Sequence, residues 1–189
     1  GIANNLKVNL LRIESDKLKP NEIKVKLRDA SGILIPGGFG KRGTEGKIAA
    51  INFARKNNIP FLGICFGMQM AVIEFARNKL NIKNATSSEF GQSEASVVGL
   101  MSEWTKDGKL MKGTDKNLGG TMRLGSYEAR LKKDTKVSKI YNSLKIDERH
   151  RHRYEVNINF KEEFENKGMI FSGISPDNKL PEIIELKDH

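Results

Sequence analysis

The sequence predicts an α/β fold: an open, mainly parallel sheet flanked by helices, with an added antiparallel β portion. Three observations support this prediction. In the first half of the chain, short apolar runs alternate with helical patterns, the order that builds parallel sheets. The second half instead carries shorter β-like pieces and ends in a hairpin pattern. A length of 189 residues and a hydrophobic content of 38% suit one domain around a single core.

The first predicted elements lie before residue 58. Residues 8–13 (VNLLRI) have the composition of a strand. Residues 31–36 form a short apolar run typical of a buried parallel strand. A helix is predicted over 44–57, because apolar residues recur there at three-residue spacing and Thr44 suits the N-cap position. The residues expected on its buried face are Ile48, Ile51 and Ala54.

A second strand and a second helix repeat this unit. Asn58 and Pro60 end the first helix, and residues 61–64 (FLGI) form the next apolar strand. Residues 68–79 are mostly apolar and predict a buried helix. This β–α–β–α order favours two parallel strands with helices packed on the sheet.

The second half predicts loops and antiparallel strands. Residues 105–118 show no sustained periodicity and predict a long loop, a length that is usually functional or disordered. Shorter β-like pieces follow at 124–131 and 149–156, and then a polar helix over 160–167. Residues 169–175 and 179–186 are predicted to pair as a hairpin across Pro176-Asp177-Asn178.

Composition excludes several classes of protein. No apolar run approaches the roughly 20 residues of a membrane helix, and the single cysteine excludes an internal disulfide framework and most thiolate metal sites.

The formal net charge is +10, and residues 105–153 hold 14 Lys and Arg against six Asp and Glu. Three interpretations fit this basic stretch: solvated lysine-rich faces, a site for phosphates, and, least favoured, a nucleic-acid surface, since aromatic residues for base stacking are few there.

A glycine-rich loop follows the first predicted parallel strand. Residues 38–43 (GFGKRG) match the G-x-G-x-x-G pattern of dinucleotide-binding loops. The next strand does not end in the acidic residue that would hold a ribose, and no Ser or Thr follows Gly46-Lys47 as a P-loop requires. Such a loop has another use, because its free backbone N–H groups can stabilise a developing oxyanion.

The lone cysteine lies in a motif that needs an oxyanion site. Residues 63–67 (GICFG) have the form of a nucleophile elbow with Cys65 in place of serine. The flanking glycines relieve crowding around the turn, and the helix that follows should favour the thiolate. A lone cysteine is more often a small buried hydrophobe, but the strand, the glycines and the helix together favour a nucleophile.

A cysteine nucleophile needs a base, and the chain contains three histidines. His150 and His152 alternate with arginines, so that strand geometry places both on one face. From composition alone one of them would be the leading candidate for the base. A semi-buried or exposed basic strand is the interpretation we favour slightly, and His189 at the end of the chain gives no basis for a choice.

Four stretches resemble the glutaminase domain of the CTP synthase family, a class I (triad-type) glutamine amidotransferase with a flavodoxin-like core. The elbow alone fits any amidotransferase of this class; the last two stretches narrow the resemblance to CTP synthases. The stretches are residues 36–43 (PGGFGKRG), 63–69 (GICFGMQ), 119–125 (GGTMRLG) and 148–155 (ERHRHRYE).

The resemblance implies a mechanism and a set of site residues. Cys65 would attack the side-chain amide of L-glutamine to give a glutamyl thioester and ammonia. The backbone N–H groups of Gly38 and Phe66 would form the oxyanion hole. Three further residues would hold the substrate, with Glu89 suited to the α-ammonium group: Gln69, Glu89 and Arg153.

The resemblance also implies partners and cofactors. Ammonia would pass to a fused synthetase domain, absent from this chain, that uses ATP and Mg²⁺ to convert UTP to CTP in the cytoplasm. GTP would act as an allosteric effector through a lid formed by residues 105–125, and the parent enzyme would be a homotetramer. No cofactor or metal is expected in the glutaminase domain itself, and neither nucleic acid nor a membrane is expected as a partner.

One departure from the family pattern concerns the base. In this family the catalytic histidine and its orienting glutamate form an H-x-E motif just beyond the position of His189. Residues 1–189 are therefore expected to be an incomplete domain that hydrolyses glutamine negligibly alone. Two alternatives stay open: a glutaminase subunit of another biosynthetic enzyme, and, more remotely, a non-catalytic basic binding module.

Overall fold

The computed structural model describes residues 1–19, 21–91, 93–100, 103–106, 109–112 and 122–189. The α-helices are α1 (Ile23–Leu27), α2 (Thr44–Lys56), α3 (Phe66–Lys79), α4 (Lys136–Tyr141) and α5 (Lys161–Asn166). The strands are β1 (Ile33–Ile35), β2 (Phe61–Gly63), β3 (Thr86–Ser87), β4 (Ser96–Leu100), β5 (Glu103–Lys106), β6 (Lys109–Lys112), β7 (Arg123–Leu131), β8 (Lys145–His152), β9 (Tyr154–Val156), β10 (Met169–Ile174) and β11 (Pro181–Leu186).

A parallel β–α–β–α unit forms the first half of the fold, as predicted. β1 pairs with β2 in parallel, with Ile35 opposite Gly63. Helices α2 and α3 pack on this pair and on each other. Most of α3 is buried because it packs against α2 and against strands β2 and β4, with Met70 and Val72 fully inaccessible to solvent. The carboxyl ends of β1 and β2 consequently open at one edge, where both glycine-rich motifs begin.

Antiparallel pairing dominates the second half, which confirms the added β portion. One sheet has the strand order β11-β10-β7-β8, and β10 and β11 form the predicted hairpin, with Met169 opposite Leu186. A second sheet has the order β3-β4-β9, in which β4 runs antiparallel to β9 and parallel to β3. The α/β prediction is therefore confirmed; within the described residues, parallel pairing is confined to β1–β2 and β3–β4.

Two predictions about the first half are wrong. Residues 8–13 form no strand, and Leu10 and Leu11 are 75% and 64% exposed, because no described strand pairs with this apolar segment. Thr44 is not the N-cap of α2. Gly43 takes that position in the left-handed region, at φ 70°, and the Thr44 hydroxyl donates to the Lys41 carbonyl.

The second half also departs from two predicted boundaries. Part of the segment predicted as a loop, residues 105–118, belongs to the antiparallel pair β5–β6; residues 107–108 and 113–118 lie outside the described residues. The piece predicted at 149–156 is not one strand. β8 ends at His152 and pairs with β7, whereas β9 begins at Tyr154 and pairs with β4. Arg153 lies at the break, where the chain passes from one sheet to the other.

An ion pair in the interior joins the two helices of the parallel unit. Glu74 on α3 is 1% exposed, and its carboxylate accepts from the Arg55 guanidinium of α2 at 2.7 Å and from the Asn52 amide at 2.7 Å. Buried carboxylates are tolerated when paired in this way. None of the helices in the described part of the chain has both the length and the apolar character needed to cross a membrane.

Candidate active site

Cys65 lies in a strained turn between β2 and α3. Its φ and ψ are 54° and −106°, outside the regions that L-residues ordinarily occupy, and it is the N-cap of α3. The turn fits because both flanking residues lack side chains. A Cβ on Gly63 would be 2.6 Å from the Gly67 carbonyl carbon, and a Cβ on Gly67 would be 2.1 Å from the Ile35 carbonyl oxygen. The predicted nucleophile elbow is therefore present.

The glycine loop that follows β1 lies against this elbow. The parallel register of β1 and β2 brings their carboxyl ends together. As a result, a Cβ on Gly37 would lie 3.7 Å from the Cys65 Cβ, and one on Gly38 would lie 3.7 Å from a Phe66 ring carbon. Within the described part of the chain the Gly38 N–H donates no hydrogen bond. Gly38 and Phe66, the two residues predicted to form the oxyanion hole, therefore lie next to each other beside Cys65.

The electrostatic environment of Cys65 favours the thiol. Burial is the largest effect and raises the pKa of Cys65, and the charges of Glu155 and Glu89 raise it further. The backbone N–H of Phe66 acts in the opposite direction but does not outweigh them. The helix N-terminus acts in the expected direction through the Phe66 N–H, but burial outweighs it and the net shift of the Cys65 pKa is upward. A nucleophilic role for Cys65 requires a base.

Gln69 and Glu89 lie beside the elbow and the glycine loop, respectively. Gln69 is one turn after Cys65 on α3, and its backbone N–H donates to the Cys65 carbonyl at 3.1 Å. Its side chain is buried, and its Nε2 donates to the Tyr154 carbonyl at 2.8 Å. Glu89 accepts from the Gly40 N–H at 2.6 Å. The first half of the chain thus contributes four of the predicted substrate contacts: Gly38, Phe66, Gln69 and Glu89.

Arg153 joins the site through its neighbour Tyr154, whose carbonyl holds Gln69. The Arg153 Nη1 atom is buried and has no hydrogen-bond partner among the described residues. An unpaired guanidinium nitrogen in a buried position is costly unless a ligand or another group completes its hydrogen bonding.

His150 and His152 lie against each other and close to two carboxylates. Their rings lie on one face of β8, as predicted, with the His150 Nδ1 2.8 Å from the His152 Nε2. His150 Nε2 is 3.6 Å from Glu182, and His152 Nδ1 is 3.4 Å from Glu155. Burial, Arg123 and His152 lower the pKa of His150 to about 3. These contacts account for both imidazoles without Cys65, in line with the favoured interpretation of a semi-buried strand.

A buried arginine at the centre of this group was missed by sequence reasoning. Arg123 on β7 is 2% exposed and bridges Glu155 at 3.2 Å and Glu182 at 2.8 Å, with its guanidinium 4.3 Å from the centre of the Tyr127 ring. Hydrogen bonds to charged partners hold such a group in the interior. The only signal in the sequence was the presence of Arg123 and Glu155 within two stretches that carry the family resemblance.

The model of the family "Glutamine amidotransferase class-I" matches residues 1–189. The chain belongs to this family. Curated relatives of this amidotransferase chain are named CTP synthase. It is 73% identical over 189 residues to the protein of Pelagibacter ubique, and 57% identical over 190 residues to that of Rhizobium johnstonii. Each match covers 100% of this chain and 35% of the relative, so the chain spans about a third of their length.

A solved structure supports the same conclusion for the fold of this amidotransferase. It is described as the Trypanosoma brucei CTPS glutaminase domain with bound acivicin, with a TM-score of 0.82 and 33% sequence identity. The match covers 100% of this chain and 75% of that domain. The predicted family is therefore confirmed, and the alternatives of a glutaminase subunit of another biosynthetic enzyme and of a basic binding module are not favoured.

Proposed function

We propose that this domain hydrolyses L-glutamine through Cys65 and that, as the glutaminase part of a CTP synthase, it supplies ammonia for the ATP-dependent conversion of UTP to CTP. The observation that carries the proposal is the strained turn at Cys65, held beside a glycine loop in an amidotransferase fold. A cysteine at positive φ costs free energy, and such strain recurs at reactive sites. The full-length relatives named CTP synthase supply the second half of the proposal.

The chemistry begins when a base takes the Cys65 proton. The sulfur forms a bond to the side-chain amide carbon of glutamine, and the carbonyl π electrons move to oxygen. That oxyanion accepts hydrogen bonds from the Gly38 and Phe66 N–H groups. The intermediate collapses with rupture of the C–N bond, and the nitrogen leaves as ammonia after receiving the proton. Water then hydrolyses the thioester, which releases glutamate and restores the thiol.

Charge complementarity assigns the ends of the substrate. Glu89 is the acidic side chain that accepts from the Gly40 N–H of the glycine loop, and it suits the α-ammonium group of glutamine. The buried Nη1 of Arg153 suits the α-carboxylate. The Gln69 Nε2 donates one hydrogen bond to the Tyr154 carbonyl. The side-chain oxygen of Gln69 and its second amide N–H stay available for the substrate's polar groups.

The base is proposed to lie outside residues 1–189, on the H-x-E segment of the family, with its glutamate as the orienting group. The raised pKa of Cys65 makes that base essential. The contacts of His150 and His152 with one another and with Glu182 and Glu155 support this assignment. Residues 1–189 alone are accordingly proposed to hydrolyse glutamine negligibly.

The remaining partners follow from the proposed parent enzyme. L-Glutamine is the substrate here, while ATP and Mg²⁺ act in the fused synthetase domain and enter no step in this one. GTP is proposed to activate the glutaminase through residues 105–125, and the basic stretch 105–153 suits such an anion better than it suits nucleic acid. A cytoplasmic homotetramer completes the proposal.

Replacing Cys65 in the full-length protein tests both halves of the proposal. We expect Cys65→Ala to abolish CTP formation from glutamine, UTP and ATP, while CTP formation from added ammonia stays within about twofold of wild type, because only the thioester step needs the sulfur. Glutamine hydrolysis that survives the substitution would contradict the assigned nucleophile. Failure of the wild-type protein to aminate UTP, even with ammonia, would point to an amidotransferase with another acceptor.

A further inference from the structure

The Tyr154 carbonyl is shared by two side chains. It lies 2.8 Å from the Gln69 Nε2 on α3 and 3.2 Å from the His152 Nδ1 at the end of β8. A carbonyl oxygen has two lone pairs and can accept both donors. We propose that His152 is a positioning residue for glutamine binding: its Nδ1–H holds the Tyr154 carbonyl, and that carbonyl orients the Gln69 amide. This inference rests on the proposed function and adds a residue to it.

The hydrogen bonds around His152 select one tautomer of its ring. Nδ1 faces two acceptors, the Tyr154 carbonyl and the Glu155 carboxylate at 3.4 Å, so this nitrogen carries the proton. Nε2 is then an acceptor, and the His150 Nδ1 at 2.8 Å is its donor. His150 therefore donates to His152, and His152 donates to the Tyr154 carbonyl.

Buried neighbours prevent the ring from turning away. The side chain of His152 is 15% exposed, and that of Glu155 is 8% exposed. Glu155 is held by Arg123 at 3.2 Å, and Arg123 is held in turn by Glu182 at 2.8 Å. A donor fixed in this way holds its acceptor more effectively than a solvated one, because hydrogen bonds are stronger in a buried, less polar environment.

The peptide that His152 holds lies at the start of β9, where Tyr154 is opposite Leu100 of β4. Residue 153 belongs to no strand, so the chain between β8 and β9 is not fixed there by sheet hydrogen bonds. The Gln69 Nε2 donates to the Tyr154 carbonyl, and this hydrogen bond sets the direction of the Gln69 side-chain oxygen. Loss of the His152 donor should therefore loosen Tyr154, Gln69 and the neighbouring Arg153 together, and weaken glutamine binding without removing a reacting group.

Two substitutions distinguish the roles of the two ring nitrogens of His152. The amide nitrogen of Asn reaches the place of Nδ1, whereas that of Gln reaches the place of Nε2. In the full-length protein we expect His152→Gln to raise the KM for glutamine about fivefold, the effect of one lost hydrogen bond, with kcat and ammonia-dependent synthesis within about twofold. His152→Asn should restore KM to within about twofold of wild type. His189→Gln is the matched control, because it replaces another histidine that contacts a backbone carbonyl: the His189 Nε2 lies 3.3 Å from the Ala54 carbonyl.

Several outcomes would overturn the inference. An unchanged KM in His152→Gln would show that the Nδ1 donor does not matter for binding. An equal rise in KM in His152→Asn, or loss of ammonia-dependent synthesis in both variants, would show that the ring has a structural role alone. Glutamine hydrolysis that does not depend on Cys65 in the same preparation would instead mean that the proposed function has failed, and this is measured independently of His152.

Discussion

Gly67 lies directly against the Ile35 carbonyl: a Cβ at Gly67 would be 2.1 Å from that oxygen. The oxygen cannot move aside easily, because it also accepts the Ile64 N–H at 2.9 Å. This contact joins the end of β1, the elbow and the first turn of α3. It sets the distance between the glycine loop and Cys65, and it makes the absence of a side chain at Gly67 a condition of the site.

Substitution of Gly67 should therefore be severe. We expect Gly67→Ala to destabilise the domain by at least about 3 kcal/mol, because backbone must shift to admit the methyl group. Gly99→Ala is a matched control, since its Cβ would lie 3.8 Å from the Ser88 hydroxyl oxygen, an ordinary contact. Urea denaturation of the full-length protein, followed by tryptophan fluorescence, measures both. Equal midpoints for the two variants would contradict the packing described for the elbow.

Loss of the buried Arg55–Glu74 ion pair should cost more stability than loss of an exposed ion pair. Glu74→Ala leaves the Arg55 guanidinium, 15% exposed, without its partner, and should cost about 3 kcal/mol of stability. Glu45→Ala removes an ion pair with Arg77 in which the carboxylate is 75% exposed, and should cost less than about 1 kcal/mol. The same denaturation experiment compares them. A Glu45 effect as large as that of Glu74 would mean that burial does not decide the contribution of these pairs.

The neutral His150 predicts a loss of stability on acidification. Its pKa is lowered from 6.5 to about 3 in the folded state, so below pH 6.5 the unfolded chain binds a proton that the folded chain does not. The contribution is present above pH 6.5 and is lost progressively toward pH 3. Between pH 7 and pH 5 this one group should reduce the free energy of unfolding by about 2 kcal/mol.

Comparison with a variant separates the effect of His150 on the pH dependence of stability from the effects of other groups that titrate. Arg123, His152 and Glu182 surround His150, and burial raises the pKa of nearby Glu155 to about 7, which acts in the opposite direction between pH 4.5 and 7. We expect His150→Gln to lose less stability than wild type between pH 7 and pH 5, measured as the shift of the urea midpoint. A larger loss in the variant would show that His150 is charged when folded.

Much of the sheet edge that carries Cys65 and the glycine loop was predictable from the sequence because local rules control it. The apolar run before the glycine loop, the pattern around Cys65 and the spacing of Ile48, Ile51 and Ala54 each depend on neighbours within one element. The parallel pairing of β1 and β2 then brings the loop and the elbow together. The hairpin of β10 and β11 was predictable for the same reason.

The features of the fold and the site that were not predicted depend on contacts between residues distant in the sequence. Arg123, Glu155 and Glu182 come from three strands, and their pairing leaves no periodic signal in the sequence. Residues 8–13 have strand composition but lack a pairing partner in the described structure. The direction of the Cys65 pKa shift depends on how deeply the fold buries the sulfur, since desolvation outweighs the hydrogen bond from the Phe66 N–H.

Direct trapping of the covalent intermediate tests the central claim, that Cys65 carries the glutamyl group. Full-length protein is mixed with glutamine, quenched in acid within one turnover, digested and analysed by mass spectrometry. We predict a glutamyl thioester on the peptide that contains Cys65, dependent on glutamine and absent from Cys65→Ala, which should also release no ammonia from glutamine. Ammonia release by Cys65→Ala at the wild-type rate, or a glutamyl group on another residue, would contradict the claim.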